Sequence, residues 1–486
     1  MNSPNSPAVA SPVQVPSDAS KRLLPWLVAF AFFMESLDTT ILNTAVPAIS
    51  AALHVTALSM KAVLASYTLS LAVFIPISGW MADKFGTRRV FAAAIGIFTL
   101  GSFLCGISSN IHLLVASRIL QGVGGSMMVP VGRLTLVRTF AKSDLLRAMS
   151  FVSIPALVAP LLGPIAGGLI VGYLQWRFIF FVNIPIGLAG LILVYLHLPD
   201  YREHDTHPLD IVGLILFGSG IALLSYVLEV FGEHTLGARE IVGLLVLSLA
   251  LLAGYWIHAK SLAFPLLQLS LFRIRTFRAS VSGSFFTRLG IGGVPFLLPL
   301  LYQVGLGLTP IQSGLLIMPQ ALAAMSMKFL MLRLLARFGY RNVLISNTVL
   351  IGILLFVFAT IGVHTPIWVI VLQAFLYGTF TSLQYTSMNT LVYADTTEEE
   401  TSAASSIAST VQQLSISFGV AAAGLATAFF IPRSVSQSTS AAMIHGVHEA
   451  LIALGVMTIL ATIVFNGLKP EDGMAVSRQK ALHPDG

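Results

Sequence analysis

Apolar segments of about 20 residues, the length that a helix needs to cross the hydrocarbon layer of a membrane, recur along almost the entire chain. The 486 residues are 56% hydrophobic and 10% charged, whereas a soluble domain carries about 25% charged residues. The composition therefore predicts an all-α membrane protein. Windows of this length predict about fourteen spans, which run roughly over 23–48, 58–82, 89–108, 111–138, 144–172, 177–198, 209–231, 240–259, 277–303, 310–335, 341–362, 366–392, 404–431 and 446–468.

The basic residues indicate how the spans are oriented. An even number of spans places both termini on one side, and the cytoplasmic loops of membrane proteins carry an excess of Lys and Arg. Of the 27 Lys and Arg residues, 19 fall on the side of the termini and 4 on the other side, and the rest lie inside apolar segments: Arg118, Arg133, Arg288 and Lys328. This split predicts cytoplasmic termini. It also explains the net charge of +7 without nucleic-acid binding.

Several classes of site and energy source do not fit the sequence. A single cysteine, Cys105, excludes an internal disulfide and a cysteine-rich metal site. No Gly-x-x-x-x-Gly-Lys-Ser/Thr phosphate loop is present, which argues against an ATP-driven pump. We expect no catalytic residues, no metal and no cofactor. Residues 1–20 are rich in Ser and Pro and lack the pattern of a signal peptide, so we expect a disordered cytoplasmic tail.

One loop occurs twice. Lys84–Val90 reads KFGTRRV and Arg337–Val343 reads RFGYRNV, 253 residues later. Internal repeats of this kind are typical of secondary transporters, whose substrate sites lie near the midplane between the repeats. The predicted division is a cytoplasmic tail (1–20), an N-terminal six-helix bundle (21–200), a two-helix insert (201–262), a C-terminal six-helix bundle (263–470) and a second cytoplasmic tail (471–486).

Charged residues inside the spans are the best candidates for function. A charge at the centre of a bilayer costs roughly 2.5–3.5 kcal/mol on insertion scales, so it is rarely kept without a partner or a water-filled cavity. Glu35 and Asp38 share one face of the first span, and Arg118 in the fourth span is their candidate partner. These three residues are predicted to couple protons. The alternative is a fixed ion pair that orients the two spans. A second pair of similar segments aligns Arg118 with Ala374, which carries no charge. We therefore expect the coupling chemistry mainly in the N-terminal half.

Four polar residues are candidates for a substrate cavity. Thr39 and Asn43 are one helical turn apart and either line the cavity or bond one helix to another. Gln121 lies one turn from Arg118, where it contacts cargo or orients Arg118. Arg288 follows Glu35 by the same 253 residues that separate the repeated loops, which could place the two across a cavity from each other. For Lys328 and Arg133, a functional role and snorkelling to the surface both stay open.

Four motifs resemble those of the major facilitator superfamily, and within it the fourteen-helix drug:proton antiporters related to quaternary-ammonium pumps. They are Leu37–Pro47 in span one, Gly79–Arg89 after span two, Arg118–Gly122 in span four and Gly163–Gly168 in span five. The run Trp176–Gly187 is also similar. The resemblance implies the major facilitator fold, with two six-helix bundles and two linker helices. It further implies a multi-pass protein of the bacterial cytoplasmic membrane that exchanges protons for drugs or other amphiphilic molecules by alternating access.

The resemblance also implies roles for two further groups of residues. The loop after span two latches the N-terminal half, with charged and glycine positions Gly79, Asp83, Gly86, Arg88 and Arg89. The antiporter motif of span five closes a leak path through Gly163, Pro164, Gly167 and Gly168. The plain alternatives are basic residues that only set topology and an ordinary packing face of small residues.

Two other functions stay open from the sequence. The buried basic residues outnumber the acids of the spans, which keeps an exporter of an anionic metabolite or siderophore in contention. A non-transporting sensor or a passive channel would belong to a different class. The expected partners are a small-molecule substrate, protons and the lipid bilayer, whereas a periplasmic adaptor is not readable from the sequence.

Overall fold

The computed structural model describes residues 18–140, 142–203, 206–231, 237–397, 399–431 and 440–473. The predicted tails therefore lie almost entirely outside the described residues. Within those ranges the chain is helical and has no strand. Twelve stretches of helix are long and apolar enough to cross a membrane, and the long helices α6 and the first part of α13 complete the fourteen that the sequence predicts.

The N-terminal half and the insert follow the predicted order. Two short 3₁₀ turns join α2 to its neighbours, so that α2 and α3 form one span. The helices are α1 (Asp18–Ala52), α2 (Lys61–Phe74), α3 (Ser78–Phe85), α4 (Thr87–Ile107), α5 (Ile111–Thr139), α6 (Lys142–Tyr173), α7 (Phe178–Phe181), α8 (Asn183–His197), α9 (Ile211–Phe231) and α10 (Ala238–Ser261).

The C-terminal half repeats the pattern. Its helices are α11 (Arg275–Ile291), α12 (Val294–Pro299), α13 (Pro310–Phe358), α14 (Ile367–Leu391), α15 (Thr401–Phe430), α16 (Ser440–Leu460) and α17 (Thr462–Phe465), with a π-helical turn at Leu300–Gly305. α13 is two helices joined at a kink at Gly339, whose φ is +73°. The matching glycine of the first repeated loop, Gly86, has a φ of +93°. Both copies of the loop thus turn at a conformation that favours glycine.

The bundle has two ends. We call the end that holds Asp18, Gly86, Gly339 and Asp472 the terminal face, and the end that holds Ala52 and Tyr173 the opposite face. One hydrophobic core near the opposite face contains residues of both halves, for example Ile41 with Phe296 and Trp176 with Leu300. Nearer the terminal face, the core of each half is separate. The largest core therefore joins the two halves at the opposite face.

The insert lies beside the seam between the halves. α9 and α10 pack on each other, where the hydroxyl of Ser248 donates to the carbonyl of Gly220 at 2.8 Å. Their apolar residues share a core with Ala72 of α2 and with Phe418 of α15. Because α2 and α15 belong to different halves, the insert covers a junction that rocking of the halves would change.

Candidate proton-coupling and substrate site

Asp38 lies at the centre of a buried polar network. Its side chain is 1% exposed, and its Oδ2 accepts a hydrogen bond from Nη1 of Arg118 at 2.5 Å. Its Oδ1 accepts from the amide groups of Gln121, at 2.8 Å, and Asn183, at 3.0 Å. The predicted partnership of Asp38 with Arg118 is therefore present, and α1, α5 and α8 all contribute side chains to it. A carboxylate and a guanidinium can share a dry interior only when hydrogen bonds satisfy them in this way.

Arg118 is held from three sides. Its Nη1 also donates to Oε1 of Gln121 at 2.6 Å, and its guanidinium lies over the ring of Tyr67, 4.2 Å from the centroid. The Nε2 of Gln121 in turn donates to the hydroxyl of Ser102 at 2.7 Å. Gln121 is fully buried, and the central cavity lining does not include it. Gln121 thus orients Arg118 and Asp38, and its assignment to the substrate cavity does not match its placement.

Glu35 occupies a different environment from Asp38, although it is one turn away. Its side chain is partly exposed and makes no hydrogen bond or ion pair with any described residue. It interacts electrostatically with Arg133 and Asp38. Arg133 is itself exposed, and its guanidinium lies 5.6 Å from the ring centroid of Phe32. The two acids of α1 are therefore not equivalent: one is enclosed and paired, and the other is accessible.

A central cavity begins next to the paired residues. Thr39, Asn43, Tyr67 and Arg118 line it from the N-terminal half. Pro295, Phe296, Ile416 and Val420 line it from the C-terminal half. Within the described part of the chain, the side chains of Thr39 and Asn43 donate to backbone carbonyls of their own helix, at Ser36 and Thr39. The cavity has a volume of about 190 Å³.

Arg288 lines a second cavity, which adjoins the first. Gly292, Pro295 and Ile416 border both. Arg288 is 3% exposed and belongs to the wall of the C-terminal half, together with Gln320 and Tyr385. Arg288 thus lies in a cavity wall, and both its predicted role in the substrate cavity and its predicted position opposite Glu35 stay predictions. Lys328, in α13, is exposed.

The loop between α3 and α4 is bound to the segment that follows α8. Asp83 accepts a hydrogen bond from Nη2 of Arg138 at 2.8 Å, and the same nitrogen donates to Glu203 at 2.6 Å. Arg88 donates from Nε to the carbonyl of Leu198 at 2.6 Å. The loop, α5 and the segment after α8 therefore form one charge network at the terminal face.

The remaining positions of this motif behave differently. Gly86 lies against the carboxylate of Asp200, and a side chain there would collide with it. Arg89 is exposed. A Cβ at Gly79 would meet no atom within 4 Å, so close packing does not require a glycine at this position in this conformation.

The glycines of the antiporter motif face two different helices. Gly163 and Gly167 pack against Thr40 and Ile41 of α1, within the N-terminal half. Gly168 packs against Pro310 of α13, in the other half, and the carbonyl of Pro164 lies against Gly314. Because the contact positions are backbone atoms, a side chain at Gly168 would push α6 and α13 apart. The motif therefore holds one helix of its own half and closes the opposite face against the other half.

Several residues of the site were missed by sequence reasoning. Asn183, Ser102 and Glu203 carry hydrogen bonds of the networks, and Arg138 had been counted only as a topology charge. An asparagine inside the apolar run Trp176–Gly187 was the one available signal for Asn183. Among the described residues, no group of three or more His, Cys, Asp or Glu could hold a metal ion.

A family model described as Major Facilitator Superfamily matches residues 28–420, and matches again over 281–481. The chain belongs to the Major Facilitator Superfamily. It is 42% identical over 427 residues to "Putative multidrug resistance protein MdtD" of Serratia proteamaculans (strain 568), covering 88% of each chain. A relative with the same name in Pectobacterium atrosepticum is 38% identical over 456 residues, covering 93% of this chain and 97% of that one. The likeness to MdtD-type transporters, which the motifs also indicate, is confirmed.

The fold comparison agrees. A POT family transporter in complex with 5-aminolevulinic acid superposes with a TM-score of 0.68 at 14% identity, covering 92% of this chain and 96% of that one. The predicted all-α major facilitator fold is therefore confirmed. Together with the relatives, it supports a multi-pass membrane protein that is a secondary transporter of small molecules.

Proposed function

We propose that the protein is a proton-coupled antiporter that exports drugs or other amphiphilic molecules across the bacterial inner membrane, with both termini in the cytoplasm. The observation that carries the proposal is the position of the Asp38–Arg118 pair. Arg118 lines the cargo cavity, and the carboxylate that holds it lies directly behind it. Protonation of Asp38 would release Arg118 and so change the cavity wall.

The transport cycle follows from this arrangement. Cargo enters from the terminal face, because the largest core shared by the halves lies at the opposite face. After the halves rock, a proton from outside neutralises Asp38 or Glu35, the pairing with Arg118 rearranges and cargo leaves. A membrane potential supplies about 2.3 kcal/mol per charge per 100 mV, and a proton gradient about 1.4 kcal/mol per pH unit. Since 1.4 kcal/mol supports a tenfold concentration ratio, one proton is an adequate energy source. No bond-making chemistry and no cofactor are required.

The loop motif after span two and the antiporter motif of α6 would act on this cycle at the terminal face and the opposite face, respectively. We propose that the Asp83–Arg138–Glu203 network steadies the terminal face of the N-terminal half while the halves move. Gly168 would allow the opposite face to close, which prevents passive leakage. The support is the contact geometry of each motif, since one network lies within a half and the other contact lies between halves.

The test is cargo-induced proton movement in proteoliposomes with a pH-sensitive dye inside. We expect dansyl-leucine methyl ester to elicit proton flux with the wild type, and Asp38→Asn and Arg118→Ala to abolish it. Asp144→Asn and Arg239→Ala are matched controls, because both residues are exposed and lie away from the cavity. Equal coupled flux in the wild type and the Asp38 and Arg118 variants would refute the proposed coupling. An absence of cargo-induced flux in the wild type would favour a sensor or channel.

A further inference from the structure

Arg288 is a buried cation without an anionic partner in the described part of the chain. It donates from Nε to the hydroxyl of Ser284 at 2.9 Å and from Nη2 to the side-chain oxygen of Asn389 at 3.5 Å. Its guanidinium lies 3.8 Å from the ring centroid of Tyr385. All three partners are neutral. The contrast with Arg118, which binds a carboxylate at 2.5 Å, is direct.

A buried guanidinium of this kind is poorly compensated by neutral groups alone. Removing a charge from water is costly unless a counter-charge and hydrogen bonds replace the water. Ser284 and Tyr385 fix the orientation of Arg288, since one accepts from Nε and the other supports the plane of the guanidinium. The group is therefore held in place and keeps donor capacity for a further acceptor, because a guanidinium has five N–H donors.

The surrounding cavity suits one end of an amphiphile. Gln320, partly exposed and without a hydrogen bond to any described residue, adds an amide donor, while Ile291, Pro295 and Ile416 supply an apolar wall. Among the residues that the structure describes, no acidic side chain lines either cavity. The two cavities share Pro295 and Ile416 in their walls, so a molecule that occupied both would contact Arg288 in one and Thr39 and Asn43 in the other.

We propose that Arg288 binds the oxyanion group of the cargo, so that the protein selects amphiphiles with a carboxylate or a similar anionic end. Arginine is suited to this role because its planar fork can donate two parallel hydrogen bonds to a carboxylate. This inference rests on the proposed function, since it names the substrate class of the same central site. It assigns to Arg288 the recognition of cargo, and leaves proton coupling to the residues around Asp38.

The test compares two probes that differ only in charge: dansyl-leucine, which carries a carboxylate, and its neutral methyl ester. Binding to the purified full-length protein is measured by dansyl fluorescence. We expect the wild type to bind dansyl-leucine about tenfold more tightly than the ester, as a charge-assisted hydrogen bond predicts. Arg288→Gln should remove that preference, and Arg288→Lys should keep part of it. Arg239→Gln, at an exposed site on the insert, is the matched control and should bind as the wild type does.

Two outcomes would overturn the proposal: equal binding of acid and ester by the wild type, or an unchanged preference in Arg288→Gln. If Arg288→Gln fails to fold, two other measurements test the proposal. They are the preference of the wild type for the acid over the ester and the reduction of that preference in Arg288→Lys. Proton flux elicited by the ester separates this inference from the proposed function, because we expect it to require Asp38 and not Arg288. If the ester drives proton flux but the wild type does not prefer the acid to the ester, only the proposed role of Arg288 is refuted. An acid preference that depends on Arg288, without any proton flux, defeats only the antiport.

Discussion

At the scale of single residues, the hydrogen-bond donors around Asp38 determine how well its buried carboxylate is stabilised. The carboxylate accepts from Arg118, Gln121 and Asn183, which come from two different helices. Removing one partner of a buried ion pair is expected to cost about 3–5 kcal/mol, since the other charge is left uncompensated. Removing a neutral donor should cost less, and this difference allows the roles of the three partners to be separated.

Asn183→Ala tests the donor that the sequence did not identify. We expect it to lower the free energy of unfolding by about 1–3 kcal/mol, the cost of leaving a buried acceptor short of a partner. Thermal unfolding in detergent measures the change. Asn43→Ala is the matched control for stability, because the amide of Asn43 bonds only to the carbonyl of Thr39, at 3.3 Å. Similar melting curves for the two variants would show that the bond between Asn183 and Asp38 contributes nothing.

The element that decides which face is closed is α6. Its glycines allow α1 and α13 to approach on two sides, and the contact with α13 joins the two halves. Between α2 and α15, on the other side of the cavity, Lys61 is only 2% exposed although it is a basic residue. Its Nζ donates to the carbonyl of Glu229 at 2.8 Å, and its alkyl chain packs on Gly424 of α15. The opposite face is therefore sealed by close helix contacts on both sides of the cavity.

Gly168→Ala should shift the protein away from this closed arrangement. The added Cβ would lie 2.6 Å from the carbonyl oxygen of Pro310 and 2.9 Å from Cα of Ile311. Overpacking of this kind costs about 1–3 kcal/mol, which corresponds to an equilibrium shift of about 5- to 150-fold. A cysteine placed at the buried Thr44 should then react faster with a hydrophilic maleimide. Gly79→Ala should leave the rate unchanged, since its Cβ meets no atom within 4 Å. A similar rate in both variants would contradict the role of Gly168.

The whole molecule consists of two halves joined mainly at one face. Both hydrogen bonds described between the halves lie towards the opposite face, from Gln303 to the carbonyl of Thr44 at 2.9 Å and from Ser417 to the carbonyl of Ala65 at 3.0 Å. The largest hydrophobic core lies there as well. To open this face, the protein must break those contacts together. The insert, which lies beside the seam, must then move with at least one of the halves.

A disulfide across the opposite face should separate binding from transport. At Gly172 an added Cβ would lie 3.3 Å from Cγ1 of Ile311, the position that a cysteine sulfur would occupy, so we choose the pair Gly172→Cys and Ile311→Cys. Oxidation should stop proteoliposome transport while dansyl-leucine binding continues, because the cavity stays accessible from the terminal face, and reduction should restore transport. Each single variant is a control, and the native Cys105 is buried. Undiminished transport by the fully crosslinked protein would contradict the rocking motion.

The sequence alone determined the features that depend on local composition and spacing. Long apolar segments must become helices in a membrane because no water is available for unpaired backbone groups, so the spans and the fold class followed directly. Asp38 and Arg118 were recognisable as partners because an isolated charge within a span is costly. The two repeated halves were recognisable because both copies of the loop share the same local pattern.

Only the tertiary structure decided which side chains meet. Asn183 joins Asp38 across 145 residues of chain, and Gln121 turns away from the cavity although it lies one turn from Arg118. The division of the antiporter glycines between α1 and α13 likewise depends on how α6 is rotated within the bundle. Spacing along one helix fixes which residues share a face. Which other helix packs against that face depends on contacts between helices that are distant in sequence. In those contacts, side-chain shapes and charges must match at the same time.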